Sequence, residues 1–158
     1  MSCPAWLPNP FSLTGDWDQN LTNLYEIFEA DLKHQRCELR GRRIVFDGRI
    51  IEDFREEGFW HLITKIDQGT KERLFDPRRA ECLPWFRPIL SNCDDDAVKV
   101  WNWKEGNGKI RTYIWLEEFD YVIILQGKRH AYYLVTAHHV DGEGTRRKLQ
   151  AKYDGREP

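Results

Sequence analysis

The sequence predicts an α+β fold, in which N-terminal helices pack on one face of an antiparallel β-meander of about four strands. Apolar residues recur at three- and four-residue steps after Trp17, which is typical of an amphipathic helix. Four β-rich segments follow one another between residues 98 and 140, separated by short polar turns. Connections that short join antiparallel neighbours, so these segments predict a meander.

The N-terminal region divides into an arm and a helix. Residues 1–15 contain three prolines and are predicted to form an extended arm. Thr14 or Asp16 could cap the helix that follows, and we expect this helix to end near residues 37–41. Its apolar stripe consists of Leu21, Leu24, Tyr25, Phe28 and Leu32.

The middle of the chain holds short elements. Two β-type runs, Ile44–Phe46 and Arg49–Phe54, flank Asp47-Gly48, and an Asp-Gly dipeptide between apolar runs predicts a tight hairpin. The segment FWHLITK (59–65) is compatible with a strand or with a tight turn, and its pattern leaves both open.

Residues 77–92 predict a broken helix. Pro77 suits a first helical turn, whereas Pro84 and Pro88 interrupt any continuous helix. We expect Trp85 and Ile89 to pack inward from this segment.

The last third contains the sheet. Alternation in the second strand predicts that Arg111, Tyr113 and Trp115 share one face, which would be free to bind a ligand if helices cover the other. The tail TRRKLQAKY (145–153) could add a last strand or a short helix. The four strands are predicted at VKVWNW (98–103), KIRTYIWL (109–116), YVIILQ (121–126) and AYYLVTAHHV (131–140).

The length of 158 residues predicts one domain. Its parts would be the arm at 1–15, a helical and short-strand part at 16–92, the antiparallel sheet at 97–140 and a basic tail at 145–158.

Charge and aromatic content restrict the class of function. The net charge of −2 excludes a protein that is basic all over, but residues 33–50 carry six basic and two acidic side chains, which leaves room for a local basic patch. The chain also has 7 Trp, 6 Tyr and 8 Phe, enough for a dense core or for a surface on which bases stack.

The cysteines and the hydropathy predict neither metal nor membrane. Cysteines at 3, 37, 82 and 93 form no CxxC pair and have no histidine at metal-ligand spacing, which favours reduced thiols in the cytoplasm. No run of 18 apolar residues exists, and the N-terminus lacks the layout of a signal peptide. We therefore expect a cytoplasmic protein without metal, cofactor or membrane contact.

Four segments, in chain order, carry a resemblance to a known group of enzymes. They are FWHLIT, RLFDPRRAECLPW, RTYIWLEEFDYVIIL and YYLVTAHHVD. They resemble the phage-encoded nuclease domains grouped with barnase, EndoU, colicin-type and RelE-type ribonucleases. The resemblance implies a toxin-like or phage effector that cleaves RNA without a metal, with RNA as its partner and an inhibitor or antidote protein as a second one.

The chemistry implied by this resemblance needs definite groups. A base must take the proton of the 2′-hydroxyl, an acid must protonate the departing 5′-oxygen, and fixed cations must stabilise the charged transition state. The resemblance implies that His61 transfers a proton and that Arg79 and Arg111 bind the scissile phosphate. It also implies that the Thr136 hydroxyl donates a hydrogen bond to the phosphate or to the leaving group. A structural role for His61, as a buried imidazole that merely finds a hydrogen bond, is the alternative.

Further residues are candidates for substrate binding. Tyr113 and Trp85 could stack on or position the RNA, and Arg73 belongs to the basic stretch 71–88. The family's closing strand has a T-A-Y type ending, whereas this chain has TAHHV, so His138 and His139 offer a second acid or base.

Strand alternation leaves one conflict. With regular strands, Arg111 shares a face with Tyr133 and His139, and Thr136 points to the opposite face. A one-residue bulge would reverse this relation and place Thr136 and His138 beside Arg111. An inactive relative that binds nucleic acid or protein through the same face remains the alternative function.

Overall fold

A computed structural model describes residues 3–157 and confirms the α+β class. The helices are α1 (Trp17–Phe28), α2 (Glu57–Ile63), α3 (Pro77–Cys82), α4 (Phe86–Ser91) and α5 (Gly142–Asp154). The strands are β1 (Glu38–Leu39), β2 (Arg42–Val45), β3 (Ile50–Glu52), β4 (Arg55–Glu56), β5 (Thr64–Ile66), β6 (Arg73–Phe75), β7 (Val98–Lys104), β8 (Ile110–Leu116), β9 (Tyr121–Gly127) and β10 (Ala131–His139).

The main sheet has six strands in the order β1-β2-β10-β9-β8-β7. The predicted meander is present as β7 to β10, but a sheet of four strands is wrong. β2 pairs in parallel with the first residues of β10, and β1 pairs with β2, so two short strands cover part of the β10 edge. The sheet curls into a half-barrel, and Arg40 after β1 lines a cavity together with residues 100–104 of β7 at the opposite edge.

The hairpin predicted at Asp47-Gly48 is wrong. β2 pairs with β1 and β10, whereas β3 pairs with β4. The tight turns lie instead at Arg40-Gly41 and Asp53-Phe54, where both central residues have positive φ, as two-residue hairpin turns require. Asp47 instead accepts a hydrogen bond from the backbone of Arg49 and, through its carbonyl, one from Gly58.

The predicted helices form, but the first one ends at Lys33 rather than near residues 37–41. Asp16 caps α1, since its carboxylate accepts from the Gln19 amide, and a single π-helical turn, Glu29–Lys33, extends the helix. The break at 77–92 is confirmed, because a 3₁₀ turn at Leu83–Trp85 separates α3 from α4. The segment FWHLITK is neither strand nor turn alone, since it forms the end of α2 and then β5.

The two faces of the sheet carry separate apolar clusters. The core face packs against α1 to α4 and includes Ile114, Ile123 and Ala137. The opposite face, which we call the α5 face, includes Trp101, Tyr113 and Trp115 and packs against Leu149 of α5. The tail is therefore a helix, and the prediction of a free face at Tyr113 and Trp115 is wrong, because α5 covers both.

A bulge interrupts β10. Leu134 pairs with Leu125 of β9, but the next paired residue is Thr136, opposite Ile124, so Val135 is extra in the strand. Leu134 and Ala137 both belong to the core face as a result. Thr136 turns to the α5 face.

Candidate active site

His61 lies in the middle of α2 with its imidazole partly open to solvent. Its Nε2 atom is 2.6 Å from Oε1 of Glu57, one helical turn earlier, and its side chain is 33% exposed. The neighbours of His61 in α2, Trp60 and Leu62, are buried in the core. Burial of these flanking residues fixes the helix, so His61 is held at the protein surface beside a carboxylate.

Arg73 approaches the same imidazole from β6. The register of the β5–β6 ribbon places Arg73 opposite Ile66. One guanidinium nitrogen, Nη2, is 3.3 Å from Nε2 of His61, and the other, Nη1, donates to Oγ1 of Thr64 at 3.1 Å. A histidine, a carboxylate and a guanidinium therefore meet at one point.

The contact with Glu57 favours one tautomer of neutral His61. The 2.6 Å distance to a carboxylate oxygen favours a proton on Nε2, because a lone pair there would repel Glu57, and the Arg73 guanidinium then lies beside this N–H without donating to it. Nδ1 then carries the free lone pair, and it has no hydrogen-bond partner among the residues that the structure describes. Nδ1 is thus available to accept a proton from a ligand.

Three more polar side chains surround this point. The Arg49 guanidinium donates to the Asp47 carboxylate at 2.7 Å, and these hydrogen bonds lower the pKa of Asp47, with a small contribution from nearby His61. Burial raises the pKa of Tyr133 on β10, and the carboxylates of Asp47 and Glu57 raise it further. We call Asp47, Arg49, Glu57, His61, Arg73 and Tyr133 the His61 cluster.

Arg79 lies next to the His61 cluster but bonds inward. Its Nη1 atom donates to the carbonyl oxygens of His61 at 3.2 Å and Thr64 at 2.6 Å. Its Nε atom lies 3.5 Å from Asp76, and its side chain is 17% exposed. Arg79 thus joins α3 to the end of α2.

Arg111 lies in a row that leads to the His61 cluster. It pairs with Gln126 of β9, which pairs with Tyr133 of β10, so all three side chains share the α5 face. Strands are spaced at about 4.8 Å, which puts the Arg111 and Tyr133 backbones about 10 Å apart. The buried Nε atom of Arg111 has no hydrogen-bond partner among residues 3–157.

The bulge resolves the conflict between Arg111 and Thr136. Because Val135 is the extra residue, Thr136 and His138 stand on the α5 face with Arg111 and Tyr133, while His139, opposite Tyr121, turns to the core face. The sequence leaves this open, since side-chain direction reverses with each single-residue insertion.

Tyr113 and Trp85 are buried and fully engaged. Tyr113 is 3% exposed under α5, and its hydroxyl contacts Glu105 and accepts from Lys152. Trp85 is 7% exposed, and its indole N–H donates to the Pro8 carbonyl. Neither ring offers a face for stacking, so we leave both out of the site.

The two histidines at the end of β10 differ in setting. His139 contacts Arg78 at 2.8 Å through Nε2 and Asp141 at 2.9 Å through Nδ1. His138 directs Nδ1 to the carbonyl of His139 at 3.0 Å, and burial lowers its pKa. His138 is therefore neutral at pH 7.

Tyr133 belongs to the His61 cluster, but the sequence analysis does not predict it as a site residue. It is one of two adjacent tyrosines, and only the strand register shows that Tyr133 faces Gln126 and Arg111 while Tyr132 takes the other face. Alternation within YYLVTA distinguishes the two, but the placement of Asp47 and Glu57 near Tyr133 depends on the fold.

Within residues 3–157, no group of three or more His, Cys, Asp or Glu side chains is arranged to hold a metal ion. No helix in the same range has the length and apolar character that crossing a membrane requires. Comparisons with protein-family models, curated proteins and solved structures found no match for this chain. The resemblance to ribonucleases therefore remains an expectation from the sequence.

Proposed function

We propose that the protein is an RNA endonuclease that cleaves by attack of the 2′-hydroxyl, with the His61 cluster as its active site. The observation that supports this best is the meeting of Glu57, His61 and Arg73 at one imidazole nitrogen, with Nδ1 left free. A base oriented by a carboxylate and flanked by a fixed cation suits the attack of a hydroxyl on a phosphodiester.

His61 acts as the base in this proposal. Nδ1 takes the proton of the 2′-hydroxyl, and the imidazolium that forms is stabilised by Glu57 on the opposite nitrogen. The 2′-oxygen then bonds to phosphorus, and the bond from phosphorus to the 5′-oxygen breaks. The product is a 2′,3′-cyclic phosphate, which requires RNA because DNA has no 2′-hydroxyl.

Tyr133 and the arginines serve the rest of the reaction. Burial and nearby carboxylates keep the Tyr133 hydroxyl protonated, so it can donate to the departing 5′-oxygen and regain a proton from solvent as the imidazolium releases one. Arg73 and Arg49 stabilise the charge on the phosphorane-like transition state. The row through Gln126 to Arg111 is where the neighbouring nucleotide would lie.

Three roles from the sequence are revised in this proposal. Arg111 would contact the neighbouring nucleotide rather than the scissile phosphate. Arg79 holds α2 and α3 together through the His61 and Thr64 carbonyls rather than binding phosphate. Thr136 shares the α5 face with Arg111, so it would contact the RNA beside the reacting phosphate. We also propose that the protein is a phage or toxin-like effector and that an antidote protein inhibits it.

Cleavage of RNA in EDTA tests the proposed enzyme. Wild-type protein should cleave single-stranded RNA to products that end in a cyclic phosphate and leave a DNA of the same sequence intact. His61→Gln should abolish cleavage. His34→Gln is a matched control, because His34 also faces a glutamate, Glu29, at 3.8 Å but is 68% exposed and lies away from the cluster.

The second candidate is a module that binds nucleic acid without cutting it. Two carboxylates, Asp47 and Glu57, already pair with Arg49 and His61, which leaves the cluster with little free positive charge for a phosphate. Retention of RNA by the wild type without any cleavage in EDTA would reject the enzyme and support this module.

A further inference from the structure

A second cationic region lies between β1 and α4. A cavity of about 470 Å³ is lined by Arg36, Arg40 and Arg87, with Glu38 as its carboxylate and Ser91 as its hydroxyl. We call it the Arg40 cavity. It shares no lining residue with the His61 cluster, so its charge is not used by the proposed reaction.

Backbone carbonyls hold one of the three guanidiniums in place. Arg87 on α4 donates from Nη1 to the Asp31 carbonyl at 2.7 Å and from Nη2 to the Arg36 carbonyl at 3.1 Å. Carbonyl oxygens fix the guanidinium without cancelling its charge, the nearby Asp31 carboxylate offsets part of that charge, and three of its five N–H groups form no other hydrogen bond among residues 3–157. Arg87 therefore gives the cavity an immobile positive charge.

Arg40 supplies a cation that has no carboxylate partner among residues 3–157. It lies in the β1–β2 turn and is exposed, and no hydrogen bond or ion pair there engages its guanidinium. Arg36, in contrast, pairs with Glu38 at 2.9 Å. Three guanidiniums line the cavity with one lining carboxylate, Glu38, and a second carboxylate, Asp31, lies near Arg87.

The side chains that line the Arg40 cavity favour an anionic ligand. The thiol of Cys37 adds no negative charge, because burial raises its pKa to about 11. Guanidiniums bind phosphate oxygens through paired N–H groups, and a hydroxyl such as that of Ser91 adds one more donor. We infer that the Arg40 cavity is a binding site for a phosphate group, separate from the His61 cluster.

Two sources could present that phosphate: a small phosphorylated molecule or the backbone of an RNA. Inorganic pyrophosphate is the probe for the shared chemistry, measured by isothermal titration on the full chain at low salt. Wild-type protein should bind pyrophosphate saturably, and Arg40→Gln should bind it at least about tenfold more weakly, because charge-assisted hydrogen bonds are lost. Arg129→Gln, in the exposed β9–β10 turn, should bind like the wild type.

The results of these titrations test the Arg40 cavity independently of the proposed RNA cleavage. Absence of saturable binding by the wild type, or equal binding by folded Arg40→Gln, would overturn the site whatever the cleavage assay shows. If Arg40→Gln also loses affinity for RNA, the phosphate comes from RNA, and if only pyrophosphate binding falls, it comes from a small molecule. The Arg40 cavity shares no lining residue with the His61 cluster, so absence of RNA cleavage would leave this inference intact.

Discussion

Glu57 and His61 lie one turn apart on α2, and their side chains meet at 2.6 Å. The contact places the proton of neutral His61 on Nε2 and leaves Nδ1 free, so one residue pair sets both the orientation and the tautomer of the imidazole. A histidine with only a structural role would use its hydrogen bond for stability, whereas here the side chain is 33% exposed and Nδ1 has no hydrogen-bond partner among residues 3–157.

Glu57→Gln should lower RNA cleavage at least roughly tenfold, because an amide cannot stabilise the imidazolium that forms during the reaction. Stability should change by less than about 1 kcal/mol, since the pair is partly exposed. Single-turnover cleavage in EDTA and urea unfolding measure the two effects. Glu29→Gln, which removes the carboxylate facing His34, is the control. Unchanged cleavage by Glu57→Gln would show that His61 does not depend on this carboxylate.

Tyr133→Phe should reduce cleavage by about tenfold or more while leaving RNA affinity nearly unchanged, because it removes the proposed acid but keeps the ring. Tyr132→Phe provides the control, since Tyr132 lies on the opposite face with the Arg42 guanidinium 4.3 Å from its ring centre. Rapid-quench cleavage rates and filter-binding affinities test both variants. Equal rates for the two would remove Tyr133 from the chemistry.

Arg79→Lys should destabilise the fold by about 1–3 kcal/mol, because an ammonium cannot reach both the His61 and Thr64 carbonyls and one buried acceptor loses its donor. Urea unfolding at pH 7 measures this. Arg78→Lys, at the exposed neighbouring position of α3, should cost far less. A stable Arg79→Lys variant that has lost cleavage would return Arg79 to the role of phosphate ligand that the resemblance implies.

Elements with strong local signals could be predicted from the sequence. The stripe after Trp17 forms α1, Pro84 lies in the 3₁₀ turn that breaks the helix at 77–92, and the four alternating segments form β7 to β10. Pro88 instead lies in the first turn of α4 and does not interrupt that helix. The Asp47-Gly48 hairpin fails because β2 pairs with residues of β10 that lie 88 positions further along the chain, and a local turn signal carries no information on that pairing.

The candidate site could be predicted only in part, because its residues come from segments that lie far apart in the sequence. His61 stands out by its neighbours, but its contacts with Arg73 and with the carbonyl-bound Arg79 depend on how α2, α3 and β6 meet. The faces of Thr136 and His138 depend on a single bulged residue, Val135, which alternation alone cannot locate.

Burial of His138 makes the stability of the fold depend on pH. Burial lowers the pKa of His138 below its ordinary value of 6.5, the Arg79 charge lowers it further, and the His139 carbonyl with Asp141 and Asp76 opposes this shift. The unfolded chain therefore binds the proton more readily than the folded protein. The stability that His138 contributes is complete above pH 6.5 and is lost as the pH falls from 6.5 through the pKa of the folded state.

His138→Gln should remove this dependence, because its side chain does not titrate. The loss of unfolding free energy between pH 7 and pH 5, measured by urea titration at each pH, should be smaller in His138→Gln than in the wild type. His130→Gln is the control, since His130 lies in the exposed β9–β10 turn and should leave the wild-type loss unchanged. An equal loss in His138→Gln and wild type would mean that the His138 imidazole is already charged, or equally solvated, in the folded protein.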